Sequence, residues 1–207
     1  MTDLAALIRH VDPHARADIV AMVASHAALA FPKWQINTRS RQAYFLGHCS
    51  VETAGFTAIE ENLNYSAARL LQVFPTHFTA SSAAAAAHQP RVIANIVYGG
   101  RMGNRAGTDD GWLNRGKGLL DSTGRENNAR LGARLGVSAE IASAWLIDPD
   151  HALDCACELF VLLGCLPDAD RGVVTPAIVS STRRVNGGLN GLADRELMIG
   201  KFFAALA

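Results

Sequence analysis

Apolar residues recur at helical spacing along almost the whole of this chain, and clear two-residue alternation is missing. That period decides which faces can be buried, so it restricts the fold before any motif is considered. Leu4, Leu7, Ile8 and Val11 follow the i, i+3, i+4, i+7 pattern, as do Val92, Ile93, Ile96 and Val97, then Leu153, Cys157, Phe160 and Leu163. The fold class expected is mainly α.

Boundary signals divide the pattern into helices. A first helix is predicted over residues 3–11. Pro13 opens a second, carrying Ile19, Met22, Val23 and Ala27 and stopped at Phe31-Pro32. Ser40 caps a third, which runs through Ala43, Leu46 and Cys49 to about Ala54, with Gly55 ending it. Residues 56–65 are polar and turn-rich, suited to a short hairpin or an irregular loop. Ser66 caps a helix stopped by Pro75, residues 81–88 form an alanine-rich helical turn or two, and Pro90 starts a helix ended by Gly99-Gly100. From Arg101 to Gly118 the periodicity vanishes, and a loop that long inside a compact domain is often functional. Thr123 caps a helix ending near Gly132 or Gly136, Ser138 begins another, and Asp148-Pro149 starts a strongly apolar one. Thr175-Pro176 opens a helix closed by Gly187-Gly188, and the last covers residues 192–206.

At 207 residues and 49% hydrophobic, the chain suits one domain, 1–207, with a core that needs no staples. Nineteen basic and nineteen acidic residues cancel, so a global charge that would attract nucleic acid or an anionic membrane is absent. The N-terminus reads as an amphipathic helix rather than a signal peptide, and no apolar stretch reaches the ~18 residues of a spanning helix. The expectation is synthesis in the cytoplasm, no stable membrane insertion, a monomer, and action at the bacterial cell wall after release or dedicated export. Cys49, Cys155, Cys157 and Cys165 show no CxxC spacing. They read as buried thiols rather than ligands, and no metal or cofactor is expected.

The chemistry concentrates between residues 45 and 66. Glu52 sits near the end of a predicted helix and Glu61 nine residues later in a polar segment. Hydrolysis of a glycosidic bond needs two carboxyl groups in unlike settings, one protonated as acid and one ionised to steer water. Such a pair is also common on a solvated surface. His48 and Glu52 share a helical face, which fits an ordinary helix pair, a catalytic carboxylate with a histidine neighbour, or, less well, half of a metal site. Glu60 and Glu61 are adjacent, so at most one points with Glu52. Asn62 and Asn64 carry amides suited to sugar hydroxyls, or simply shape a polar turn. Trp112 reads as a platform for a sugar face or as a packing anchor. No G-x-S-x-G or G-x-x-x-x-G-K-S/T run is present, and His48 and Cys49, adjacent on a helix, diverge by about 100°.

Five segments in order resemble glycoside hydrolase family 19, the chitinase-like enzymes that include bacteriophage endolysins. Glu52-Thr53-Ala54-Gly55-Phe56 is similar to the family's H-E-S/T-G-G-F element, with Ala54 in place of a glycine and His48 four residues early. Glu61-Asn62-Leu63-Asn64-Tyr65-Ser66 matches E-N-L-N-Y-S. Ile93 to Tyr98 with Arg101-Met102-Gly103-Asn104 resembles I-A-N-x-V-Y…R-M-G-N. Asp110-Gly111-Trp112 with Arg115-Gly116-Lys117-Gly118-Leu119 resembles D-G-W-x-Y-R-G-R-G-L. Asn186-Gly187-Gly188, Asn190-Gly191 and Asp194-Arg195 resemble N-G-G-x-N-G…D-R.

The resemblance implies a lysozyme-like, two-lobed helical fold with a substrate cleft, acting on β-1,4-linked polymers that contain N-acetylglucosamine. By motif position Glu52 is the general acid, Glu61 the base and Thr123 the hydroxyl that positions water, with Asn127 and Asn186 contacting substrate. Asp121 stands where the family has glutamine, Asn114 where it has tyrosine, and Lys117 replaces the second loop basic residue. Glu52 is expected to be partly buried against Phe45 or Phe56 with a raised pKa, and an inverting mechanism places the carboxyl groups about 6.5–9.5 Å apart. The substrate expected is bacterial peptidoglycan, because the spacing from Glu52 to Glu61 is that of the shorter forms. Chitin is the alternative within the class. A non-catalytic glycan-binding protein on the same scaffold and a helical protein-interaction domain are the alternatives outside it.

Overall fold

The computed structural model describes residues 3–207; the first two residues of the N-terminal stretch read above lie outside it. In chain order the helices are α1 (Leu4–Val11), α2 (Ala17–Lys33), α3 (Arg39–Glu52), α4 (Ala67–Val73), α5 (Ala80–Ala86) and α6 (Pro90–Tyr98). There follow α7 (Asp110–Leu113), α8 (Arg125–Leu135), α9 (Ala139–Trp145), α10 (Ala152–Leu162), α11 (Leu166–Ala169), α12 (Thr175–Asn186) and α13 (Leu192–Ala205). Extended pairing among the described residues is limited to the isolated bridges Glu60–Lys117 and Lys117–Ser122. The fold is mainly α, and among the described residues no helix is long and apolar enough to cross a membrane.

The chain divides into two compact units. One holds the chain up to Ile59, Gly118–Asp121 and Trp145–Ala207. Its centre is α3, in which every residue from Ala43 to Ser50 is buried. A helix buried on all sides has no solvated stripe, and polar His48 and Ser50 must therefore find partners inside. Phe45 meets Phe31 and Phe160 edge-on at 5.6 Å each, and Phe56 meets Phe202 the same way at 6.3 Å. Against α3 lies α13, and the approach is close at Gly47. A Cβ there would sit 2.8 Å from the backbone nitrogen of Ile199. The four cysteines are buried free thiols.

The second unit holds Glu60–Lys117 and Ser122–Ala144. Leu63, Leu70, Phe78, Ala83, Ala86, Ile93, Ala94 and Val97 form its core, with Tyr65, Phe74, Tyr98 and Trp112 packed on it. One-turn α7 presses on α6 at Gly111, where a Cβ would lie 2.5 Å from the Ala94 carbonyl oxygen. Glycine in the Asp-Gly-Trp run is thus a contact requirement. Arg105 holds Asp110 through Nε and Nη2 at 2.8 and 2.9 Å, keeping that carboxylate well below the usual range and ordering the 101–110 loop.

Several boundaries differ from the sequence reading. Pro13 lies in a turn, and α2 starts at Ala17 and continues through Pro32 to Lys33. Pro32 removes one i→i−4 hydrogen bond there, and the helix ends one residue later. Thr38, not Ser40, caps α3, and its hydroxyl accepts from the Arg41 N–H at 3.2 Å. The N-cap of α8 is Gly124, at φ 93, instead of Thr123. The 101–118 segment contains α7, and the apolar run after Asp148-Pro149 becomes helical only at Ala152. Residues 56–65 form no local hairpin; Glu60 pairs with Lys117. Leu166-Pro167-Asp168-Ala169 forms α11, too short for periodicity to reveal. Ser66, Pro90, Gly136 and Gly187 act as read.

Candidate active site

Glu52 is the last residue of α3, and its side chain is 13% exposed. The helix stops there because the next residues cannot continue it. Thr53 turns its hydroxyl back to the Cys49 carbonyl at 2.6 Å and accepts the Phe56 N–H at 2.9 Å. Ala54, Gly55 and Phe56 then adopt φ of 51°, 76° and 56°. Three successive left-handed residues, two of them with side chains, are a costly conformation found where surroundings over-determine the backbone.

Glu52 is held by a cation, and Phe45 and Phe56, against which its burial is expected from sequence, pack with other aromatic rings. Arg195 of α13, 1% exposed, donates from Nη2 to Glu52 Oε1 at 2.6 Å. Its Nη1 donates to His48 Nδ1 at 2.9 Å, and Nε to the Asn190 carbonyl at 3.5 Å. His48 is fully buried, and burial together with the neighbouring guanidinium pushes its pKa down to about 3. Arginine has no acceptor, so Nδ1 must be unprotonated and the ring proton sits on Nε2. Nε2–H donates to Ser181 Oγ at 3.0 Å, and the Ser181 hydroxyl to the Ile178 carbonyl at 3.1 Å. The 186–191 turn adjoins the same place. Asn186 ends α12, exposed, and a Cβ on Gly191 would be 3.4 Å from Val51 Cγ1.

In the second unit Glu60 and Glu61 part company. Glu60 forms an ion pair with Arg115 at 2.5 Å. Glu61 Oε1 accepts from the Tyr98 hydroxyl at 2.7 Å and Oε2 from the Gly116 N–H at 3.4 Å. Both Glu61 oxygens are thus oriented by neutral donors, whereas Glu60 is paired with a cation. The backbone is pinned as well, since the Glu61 N–H donates to the Gly116 carbonyl at 2.9 Å.

The remaining expected residues divide similarly. Trp112 is half-buried; the Arg115 guanidinium lies 3.6 Å from its ring centroid and the unit's core packs beside it. Thr123 is half-buried just before α8, and its carbonyl accepts from exposed Asn127 at 2.8 Å. Exposed Asn64 accepts from His88 Nδ1 at 2.9 Å through Oδ1. Asp121, in the first unit with Glu52, is exposed at φ 48. Asn114 is buried in a polar chain in which Asn128 Nδ2 donates to Asn114 Oδ1 at 2.9 Å and Ser122 Oγ to Asn128 Oδ1 at 3.0 Å. Asn114 Nδ2 in turn donates to the Asp110 carbonyl at 2.9 Å. That network, Arg195 and Tyr98 were not singled out from sequence as site residues; only their membership in the recurring segments marked Tyr98 and Arg195. Among the described residues no cluster of His, Cys, Asp or Glu is arranged to hold a metal ion.

No family model matches the chain. A glycosyl hydrolase family 19 domain-containing protein of Haemophilus influenzae is 36% identical over 160 residues, 76% of this chain and 76% of that protein. Among solved structures, chitinase C of Streptomyces griseus is similar with a TM-score of 0.52 and 17% identity, covering 100% of this chain and 94% of that one. A bacterial family 19 chitinase gives 0.57 and 18%, covering 100% and 96%. At those identities the likeness carries the lysozyme-like helical fold alone.

Proposed function

The chain belongs to glycoside hydrolase family 19 and is a glycoside hydrolase, and we propose that it cleaves β-1,4 bonds between amino sugars of bacterial peptidoglycan by an inverting acid–base mechanism. The observation that carries the acid assignment is Glu52 at the end of buried α3, fixed by Arg195 at 2.6 Å. With Oε1 engaged by the guanidinium, the transferable proton belongs on Oε2, which delivers it to the leaving oxygen. Arg195 then stabilises the carboxylate left behind, a charge that exists only as the bond breaks. Glu61, oriented by Tyr98, takes a proton from the attacking water, and the Thr123 hydroxyl positions that water. Asn64, Trp112, Asp121, Asn127 and Asn186 contact the polymer.

Support for peptidoglycan is the nine-residue interval from Glu52 to Glu61, shared with the shorter bacterial and phage forms that the motifs resemble. Chitin is the second reading, favoured by the chitinases among the similar solved structures. Digesting purified peptidoglycan and chitin oligomers in parallel, with mass spectrometry of the new reducing ends, separates them; product from chitin alone would reverse the substrate assignment. Glu52→Gln is expected to lower turnover by roughly 10²–10⁴-fold while the thermal midpoint stays near wild type. A folded variant with most of its activity would remove Glu52 from the acid role. Proton NMR of the fresh product should show the α-anomer, and a β-anomer would replace inversion by retention.

A further inference from the structure

We propose that His48 is a positioning residue for catalysis: its Nδ1, kept unprotonated by a proton held on Nε2 against Ser181, fixes the Arg195 guanidinium on Glu52. This rests on the reading of Glu52 as the acid. The geometry is a continuous donor-to-acceptor chain with one direction. The Ile178 carbonyl accepts from Ser181 Oγ at 3.1 Å, which accepts from His48 Nε2 at 3.0 Å. His48 Nδ1 accepts from Arg195 Nη1 at 2.9 Å, and Arg195 Nη2 reaches Glu52 at 2.6 Å. Every link is buried except the last, at part-buried Glu52, and helices α3, α12 and α13 contribute to it.

The polarity of this chain is its function. A planar guanidinium has two degrees of freedom that matter here, its position and the rotation of its plane about the Cδ–Nε bond. Glu52 alone constrains one edge. An acceptor on Nη1 fixes the plane, and so fixes which oxygen of Glu52 is engaged and which is left to carry the proton. Protonated histidine offers no acceptor, and the other tautomer would turn an N–H toward Arg195. Burial and the adjacent guanidinium both oppose protonation, which holds the ring neutral down to about pH 3. Tyr44 and Phe160, with ring centroids 6.4 and 6.3 Å from the imidazole, wall the site without adding charge.

The test combines two substitutions with one measurement on the unmodified protein. His48→Leu keeps bulk and removes the acceptor; His48→Asn places Oδ1 where Nδ1 stood. In folded proteins H48L is expected to lose about ten-fold or more in kcat with KM within about two-fold, and H48N to recover most of that loss. Wild-type turnover in H48L, or equal losses in both variants, overturns the proposal. Should H48L not fold, nitrogen-15 NMR of histidine-labelled wild-type protein decides. At about pH 5, where an ordinary histidine is protonated, His48 should show a neutral ring with its proton on Nε2. A protonated ring, or a proton on Nδ1, overturns the proposal. E52Q separates the two levels: an active E52Q removes the acid reading and this proposal with it, whereas an inactive E52Q beside a fully active H48L removes only the positioning role.

Discussion

Lys117 is a buried ammonium, 7% exposed, that donates to the Leu113 carbonyl at 2.8 Å and to Ser143 Oγ at 3.3 Å. Burial, helped by the Arg115 charge, pushes its pKa down to about 8 from the ordinary lysine value. The sign of the consequence follows from proton counting. Below about pH 8 both folded and unfolded chains carry the proton, so Lys117 gives stability no slope. Between there and about pH 10.5 the unfolded chain holds a proton that the folded chain has released, so this residue makes stability rise with pH. The contribution over that window is on the order of 3 kcal/mol. Lys117→Met should remove it, measured as the difference between urea unfolding curves of wild type and variant at about pH 7.5 and about pH 10. Equal pH slopes in the two proteins would mean that the ammonium keeps an ordinary affinity. Asp121 admits a residue-level explanation too. Its φ of 48° lies in the left-handed region, where a short polar side chain is tolerated better than the longer glutamine that the family motif carries.

Helix α3 has two demands that sequence pattern shows only in part. It must approach α13 closely enough for Arg195 to reach Glu52, and it must stop immediately after Glu52. Gly47 meets the first demand. A methyl group there would stand 2.6 Å from Ile199 Cγ1 and 2.9 Å from its Cα. Gly47→Ala is expected to destabilise by about 1–3 kcal/mol, despite alanine's better helix propensity, because overpacking between backbones has no rotamer to relieve it. Activity should fall further than the unfolded fraction explains, since moving α13 carries Arg195 away from Glu52; a G47A protein as stable and active as wild type would contradict the backbone contact. Ala54 bears on the second demand. Ala54→Gly should raise the thermal midpoint, because relief of about 1–2 kcal/mol of left-handed strain exceeds the ~0.5–1 kcal/mol entropic cost of glycine. A lower midpoint would show the strain to be absent. The helices themselves were legible because periodicity and end signals such as Ser66, Pro90, Gly136 and Gly187 are local. Thr123 and Pro13 misled because each has the right chemistry one to four residues before the helix that forms. The motifs alone single out Glu52 and Glu61 as candidates, whereas Arg195 finds Glu52 across 143 residues of sequence. A contact of that separation leaves no periodic trace. What separates Glu60 from Glu61 in the structure is Arg115, which pairs with Glu60, and the base role proposed for Glu61 draws on that difference.

At the scale of the whole molecule the decisive quantity is the cancellation of nineteen basic by nineteen acidic residues, for a formal net charge of +0. Many of these charges are matched locally. Arg41 with Asp170, Arg91 with Asp109, Arg105 with Asp110 and Arg184 with Asp168 are all ion pairs between 2.6 and 2.8 Å. Paired opposite charges appear from a distance as dipoles, whose fields fall off faster than those of single ions. Beyond a Debye length of about 8–10 Å at ordinary ionic strength little remains to steer a substrate. Recognition of the polymer must then come from short-range hydrogen bonding and packing, which salt screens weakly. On charged peptidoglycan fragments, kcat/KM is therefore expected to change by less than about two-fold between ~0.05 and ~0.5 M sodium chloride. An uncharged N-acetylglucosamine oligomer, which no long-range field can steer, gives the comparison. If both substrates fall together, salt acts on the short-range contacts or on the protein itself. If cleavage of the charged fragments falls steeply while the neutral oligomer holds steady, a local field around the site outweighs the cancellation, and the absence of long-range steering argued from net charge does not hold.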